Sequence, residues 1–95
     1  MARYISLLRF TGQGARDLKN STQRARAFAK VAANAGAKIE AQYWTVGAYD
    51  GVLILSAPTS EQALRALTEL AAAGNVRTET MTLLDAKEFE AVVGS

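Results

Sequence analysis

Cysteine and histidine are both absent from this chain. Without cysteine there is no disulfide, no thiol nucleophile and no thiolate metal site, and redox compartment leaves no signature. Without histidine the chain lacks the side chain that titrates closest to neutral pH and the commonest metal ligand. A Ser–His nucleophile cannot be assembled either. Metal catalysis would rest on carboxylates alone, and no Asp or Glu spacing forms a recognisable cation loop, so neither metal nor cofactor is expected. Long hydrophobic runs are missing too. None approaches the ~20 residues needed to cross a bilayer, and the apolar stretch near Met1 is too short for a secretion signal. A cytoplasmic protein that does not engage membranes is expected. Charge blocks are also lacking. The 11 basic and 9 acidic residues leave +2, and the basic ones scatter from Arg3 to Lys87 instead of forming a nucleic-acid footprint.

What is present is apolar material in short, punctuated runs. A chain of 95 residues suits one domain spanning 1–95. Its 49% apolar content is far above that of a disordered chain. Much of that content is alanine, so the core is thin. A domain this small buries only about 60–65% of its unfolded surface, and a partner subunit closing one face would help it.

Arg3 to Phe10 reads as a strand, with Tyr4, Ser6 and Leu8 on one face and Ile5, Leu7 and Arg9 on the other. Gly12-Gln13-Gly14 lacks the Gly-Lys-Ser/Thr ending of a phosphate loop, and Asp17 breaks the Rossmann spacing, so a plain loop entering a short helical turn is expected. Ser21 can cap a helix reaching about Ala35. Phe28, Val31, Ala32 and Ala35 form its apolar stripe, and Arg24, Arg26 and Lys30 fall on a solvated side. Gly36 sits where positive φ is useful. Lys38 to Thr45 reads as a second strand, with Ile39, Ala41, Tyr43 and Thr45 on one face and Lys38, Glu40, Gln42 and Trp44 on the other.

After a turn at Gly47, Tyr49 to Ser56 forms a third strand. Its Val52-Leu53-Ile54-Leu55 run is apolar on both faces, the mark of a central strand. Thr59 to Gln62 reads as a capping box. It opens a helix to about Ala73 that buries Ala63, Leu67, Leu70 and Ala71 and stops at Gly74. Asn75 to Leu83 is a fourth strand, rich in threonine. Asp85 to Glu88 is a second capping box, before a short helix carrying Phe89, Val92 and Val93.

The order β-α-β-β-α-β plus a short helix predicts an α+β ferredoxin-like fold: a four-stranded antiparallel sheet with two helices on one face. The other face would be bare in a monomer. A bare apolar sheet face in so small a protein points to self-association, as a homodimer or larger.

Three stretches carry a family resemblance. Tyr4-Ile5-Ser6-Leu7-Leu8, Tyr43-Trp44-Thr45-Val46-Gly47-Ala48-Tyr49-Asp50 and Gly74-Asn75-Val76-Arg77-Thr78-Glu79-Thr80 resemble the GYD-domain family across nearly the whole chain. Gly47, Tyr49 and Asp50 match its central Gly-x-Tyr-Asp. The resemblance implies a ferredoxin-like fold of the dimeric α+β barrel type, found mainly in bacteria and archaea, and brings no reaction with it. Related barrels include cofactor-free monooxygenases, isomerases, haem enzymes and small-molecule regulatory domains, so the fold does not decide the function. Haem fits least, because only a tyrosine could serve as ligand.

Tyr49 and Asp50 invite a catalytic reading, a phenol as acid beside a carboxylate as base. Neighbours on a regular strand point to opposite faces, so one packs and the other faces the pocket. Asp50 is expected on the open sheet face, with Arg77 as its partner and charge stabiliser. The plainer reading is an Asp that accepts backbone N–H bonds after Gly47. On the fourth strand Arg77, Glu79, Met81 and Leu83 share one face, and the threonines suit packing beneath alanine-rich helices. That turns Arg77 and Glu79 to the open face with Gln42 and Trp44. Tyr4 and Ser6, together with Gln42, Trp44 and Glu79, are the candidate ligand contacts; Tyr4 is also a possible hydrogen-bond donor. The plainer reading of the group is an inter-subunit salt-bridge network anchored by Trp44. An RNA-recognition module shares the element order but needs stacking aromatics on the third strand, where Val52 to Leu55 are aliphatic. The leading expectation is a homo-oligomeric small-molecule binding or accessory domain with its ligand on the open face. The alternatives are a cofactor-independent enzyme and a purely structural assembly unit.

Overall fold

A computed structural model of the chain describes residues 1–94. Strand β1 (Ala2–Phe10) is followed by a short helix α1 (Gly12–Arg16), a 3-10 turn at Leu18–Asn20 and the long helix α2 (Ser21–Asn34). Then come β2 (Lys38–Trp44), β3 (Gly51–Ala57), α3 (Ser60–Ala72), β4 (Val76–Thr82) and α4 (Ala86–Val93). The strands form one antiparallel sheet in the order β2-β3-β1-β4, which is the ferredoxin-like arrangement predicted above. Helices α2 and α3 lie against each other and against the same face of the sheet. Among the described residues no helix is long and apolar enough to cross a membrane.

The core sits between that helix pair and the central strands. Leu8, Leu53 and Leu55 supply its floor, and Phe28, Ala32, Ala63, Ala66 and Leu67 its roof. Alanine lets α2 and α3 come close to the sheet, at the cost of little apolar area per residue. Val31 and Ala71, predicted to be buried, are exposed at the edge of the helix pair.

Local chemistry sets most of the boundaries. Gly36 (φ 88°) and Gly74 (φ 81°) end α2 and α3 in the left-handed region that L side chains avoid. Asp85 and Glu88 form a complete capping box on α4. The Thr59 hydroxyl caps α3 through the Gln62 N–H and bonds the Gln62 side-chain oxygen. Ser21 is not the cap of α2. Asn20 holds that position without a side-chain hydrogen bond, and Ser21 enters the helix with its hydroxyl directed at Trp44. Arg24 also departs from expectation. Its guanidinium binds Asp17 and the Gly14 carbonyl, pinning the 3-10 turn to α2, whereas Arg26 and Lys30 do lie in solvent.

One irregularity in β2 governs everything near the site. Ile39 pairs with Leu55, but Ala41 pairs with Ile54, so Glu40 is an extra residue and the strand bulges there. Strict alternation would put Ile39, Ala41 and Tyr43 on one face. The bulge breaks that set. Ile39 joins the helix side opposite Leu55, and beyond Glu40 it is Gln42 and Trp44 that face the helices, opposite Leu53 and Gly51. Ala41 and Tyr43 turn to the open face, opposite Ile54 and Val52.

Candidate functional site

A cavity of about 490 Å³ lies between α2, α3 and one end of the sheet. Its apolar walls come from Phe10, Phe28, Val31, Trp44, Leu53 and Leu70. The row Leu8–Gly51–Trp44 crosses its floor, and because Gly51 has no side chain, that row leaves room between its outer members. Trp44 closes one side, held by an indole N–H bond to the Ser21 hydroxyl at 2.9 Å. The cavity's polar lining is Gln42 and Tyr43 of β2, Asp50 of the turn before β3, Ser21 and Arg24 of α2, and Glu69 and Asn75. Size and composition both fit a small-molecule pocket.

The open face is organised differently. Two apolar rows cross it. One is Ala41–Ile54–Ile5–Met81 and the other joins Tyr43, Val52 and Leu7. Tyr43 and Met81 are 61% and 51% exposed. Charged rows flank them. At one end Arg3, Lys38 and Ser56 line up, and Arg3 pairs with Glu88 of α4 at 3.6 Å. At the other end stand Arg9, Arg77, Glu79 and Tyr49, along a shallow groove at the β4 edge. Phe89, Val92 and Val93 of α4 are left exposed.

The predicted site residues therefore fall into two groups. Gln42, Trp44 and Asp50 border the cavity on the helix side. The expectation that Gln42 and Trp44 look to the open face is corrected by the bulge at Glu40, and Tyr43, assigned to the helices, takes their place there. Tyr4 and Ser6 are on the helix side as well, opposite Leu55 and Leu53. Ser6 is fully buried, its hydroxyl bonded to that of Thr80 at 2.7 Å, so it has no surface for a ligand. Arg77 and Glu79 do face the open side, together with Tyr49.

Tyr49 and Asp50 diverge. The third strand begins at Gly51, not Tyr49, because residues 45–50 form a closed turn held by the Thr45 N–H to Asp50 carbonyl bond at 3.0 Å. Tyr49 leaves that turn onto the open face and donates its phenol to Glu79 Oε2 at 2.9 Å. The Arg9 guanidinium stacks 4.5 Å from the centre of its ring. The bond to Glu79 raises the phenol pKa above the ordinary 10.0, with desolvation and the Glu79 charge adding to the rise and Arg9 opposing it. Asp50 instead accepts the Phe10 N–H at 2.8 Å through Oδ2, and its own N–H donates to the Leu8 carbonyl. No ion pair joins Asp50 to Arg77 among the described residues. Asp50 therefore accepts a backbone N–H, as the plainer reading expected, but that N–H belongs to β1 and not to the turn after Gly47.

Sequence reasoning missed Phe10 and Ser21 as cavity residues. Phe10 was legible as the end of the strand face that carries Leu8. Ser21 looked like a cap, and only the packing of β2 beside α2 brings it to Trp44. Among the described residues no cluster of three or more acidic side chains is placed to hold a metal ion.

The fold and the cavity define a ferredoxin-like α+β domain with a pocket between its helix pair and its sheet. The family model of the GYD domain matches residues 4–93, and the chain belongs to the GYD domain family. No curated protein sequence matches significantly. Among solved structures the chain is similar in fold to one described as the crystal structure of MtbAldR, with a TM-score of 0.68 at 17% identity. The superposition covers 88% of this chain and 52% of that one, so this chain spans about half the length of its structural neighbour.

Proposed function

We propose that this GYD domain is a homo-oligomeric binding domain that takes a small, largely apolar molecule into the cavity between α2, α3 and the sheet. The observation that carries this reading is the cavity itself. In a domain whose core is closed by alanine and leucine, about 490 Å³ is left unfilled beside two phenylalanines and the only tryptophan. The concavity opens to solvent past Val31 and Trp44, and an apolar molecule seated there would cover its aromatic and aliphatic walls, as small-molecule pockets do. Gln42 and Asp50 at its border would orient that molecule. Self-association is supported by the two uncovered apolar rows of the open face and by the bare side of α4. A cofactor-independent enzyme draws support only from Asp50, and the Phe10 N–H already occupies one of its oxygens.

Trp44 reports the test. Titration with 1-naphthol is expected to give a saturable change in Trp44 emission, and Val31→Phe, which fills the cavity from α2, should abolish it while circular dichroism stays unchanged. A response that survives Val31→Phe would place the probe elsewhere and remove the reading. Native mass spectrometry of freshly purified protein tests the occupant and the subunit number together.

A further inference from the structure

The open face ends, beyond the row of Leu7, Val52 and Tyr43, in two arginines. Arg9 and Arg77 are direct partners in the β1–β4 register and stand on the same face. Like charges placed directly opposite weaken a strand pair. Glu79 is the carboxylate beside them. One of its oxygens lies 3.9 Å from Arg9 Nη1, and the other accepts the Tyr49 phenol. Arg9 is also fixed from outside the pair, with Nε donating to the Ala48 carbonyl at 3.2 Å and its guanidinium over the Tyr49 ring. The exposed Arg77 guanidinium makes no hydrogen bond or ion pair among the described residues. Two guanidinium groups against one carboxylate leave one positive charge uncompensated. It stands over a groove of about 780 Å³ whose walls include Leu7 and Tyr49.

We propose that this groove binds the carboxylate of a small organic acid between Arg9 and Arg77, with the acid's apolar body against Leu7 and the Tyr49 ring. One uncompensated charge matches a monoanion better than a phosphate dianion. The planar guanidinium fork matches a carboxylate in bidentate geometry. Arg9 is held in place before any ligand arrives, so little ordering is lost there on binding, while Arg77 is free to close on the anion. The Tyr49 phenol, tied to Glu79, stays protonated at neutral pH and adds no repulsion. The site shares no lining with the cavity beneath the helices except Val76, so either can fail without the other.

The test is a titration of the ¹⁵N-labelled protein with benzoate, read at the arginine Nε–H signals, with sulfate in parallel. Saturable shifts at both Arg9 and Arg77 are expected at millimolar benzoate, with sulfate weaker. Arg77→Gln should weaken benzoate by about tenfold or more, the effect of losing one charge-assisted hydrogen-bonding partner. Arg77→Lys keeps the charge and loses the fork, and should weaken benzoate more than sulfate. Because Arg77 is exposed and opposes Arg9, Arg77→Gln should fold and melt no lower than the parent, while losing the rise in melting temperature that benzoate gives the parent. Benzoate binding undiminished in Arg77→Gln overturns the proposal, as does the absence of saturable shifts. Sulfate binding as tightly as benzoate would also overturn it, leaving only an unselective basic patch.

Discussion

Asp50 stands where the turn before β3 leaves β1 without a strand carbonyl to meet. Its carboxylate takes the Phe10 N–H, and its own N–H meets the Leu8 carbonyl. An amide at this position can still accept that bond, and a methyl group cannot. Asp50→Ala is therefore expected to destabilise the fold by about 2 kcal/mol, the typical loss of a hydrogen bond to a charged acceptor, and Asp50→Asn by clearly less. Urea denaturation of the two variants checks the order. Tyr49 offers a second measurement. Its phenol pKa is raised in the folded protein, first by the bond to Glu79. The folded state therefore holds that proton more tightly than the unfolded one. The stabilisation it brings is fully present below the unfolded value near 10.0 and is lost as pH rises through the higher folded value. Spectrophotometric titration, with Tyr49→Phe subtracted to isolate this tyrosine, should show Glu79→Gln moving its midpoint down.

At the level of elements, the stretch Gly12-Gln13-Gly14 is explained by packing. Gly14 is buried in α1, and a Cβ there would collide with the backbone carbonyl of Asn75 at the entry to β4. At Gly12 the same atom would meet only the end of the Arg16 side chain, at 3.7 Å. Gly14→Ala is thus expected to cost about 1–3 kcal/mol, the usual range for overpacking, and Gly12→Ala close to nothing. Thermal melts of the pair test this, and equal melting temperatures would refute the close approach. The bulge at Glu40 acts at the same scale. One extra residue in β2 turns Trp44 towards α2, where the Ser21 hydroxyl accepts its indole N–H.

At the scale of the whole molecule, charge and apolar surface are both distributed unevenly. The open face carries Arg3, Arg9, Lys38 and Arg77, with Glu79 close to Arg9 and Glu88 of α4 paired with Arg3. Between these charged ends run the two apolar rows. If two copies meet there, Tyr43→Glu and Met81→Glu should each shift the protein towards monomer, since both side chains are more than half exposed in the single chain. Light scattering after gel filtration reads the result. A parent protein that is purely monomeric at micromolar concentration would remove the open face as an interface.

The element order, the glycine stops at Gly36 and Gly74, the capping box at Asp85 and the central position of β3 were all legible in the sequence. Each depends on residues within a few positions of one another, or on an apolar run that only a covered strand can carry. The separation of Arg77 and Glu79 from the threonines of β4 was legible for the same reason, because β4 stays regular. What the tertiary structure alone decided was the side to which Gln42, Tyr43, Trp44 and Tyr49 turn. Alternation is a rule of period two, and a single unpaired residue at Glu40, or a strand that starts at Gly51 instead of Tyr49, reverses or ends it for the residues beyond. Such irregularities are settled by pairing with distant strands. Asp50 shows the same limit, since the N–H that its carboxylate meets belongs to a residue 40 positions away.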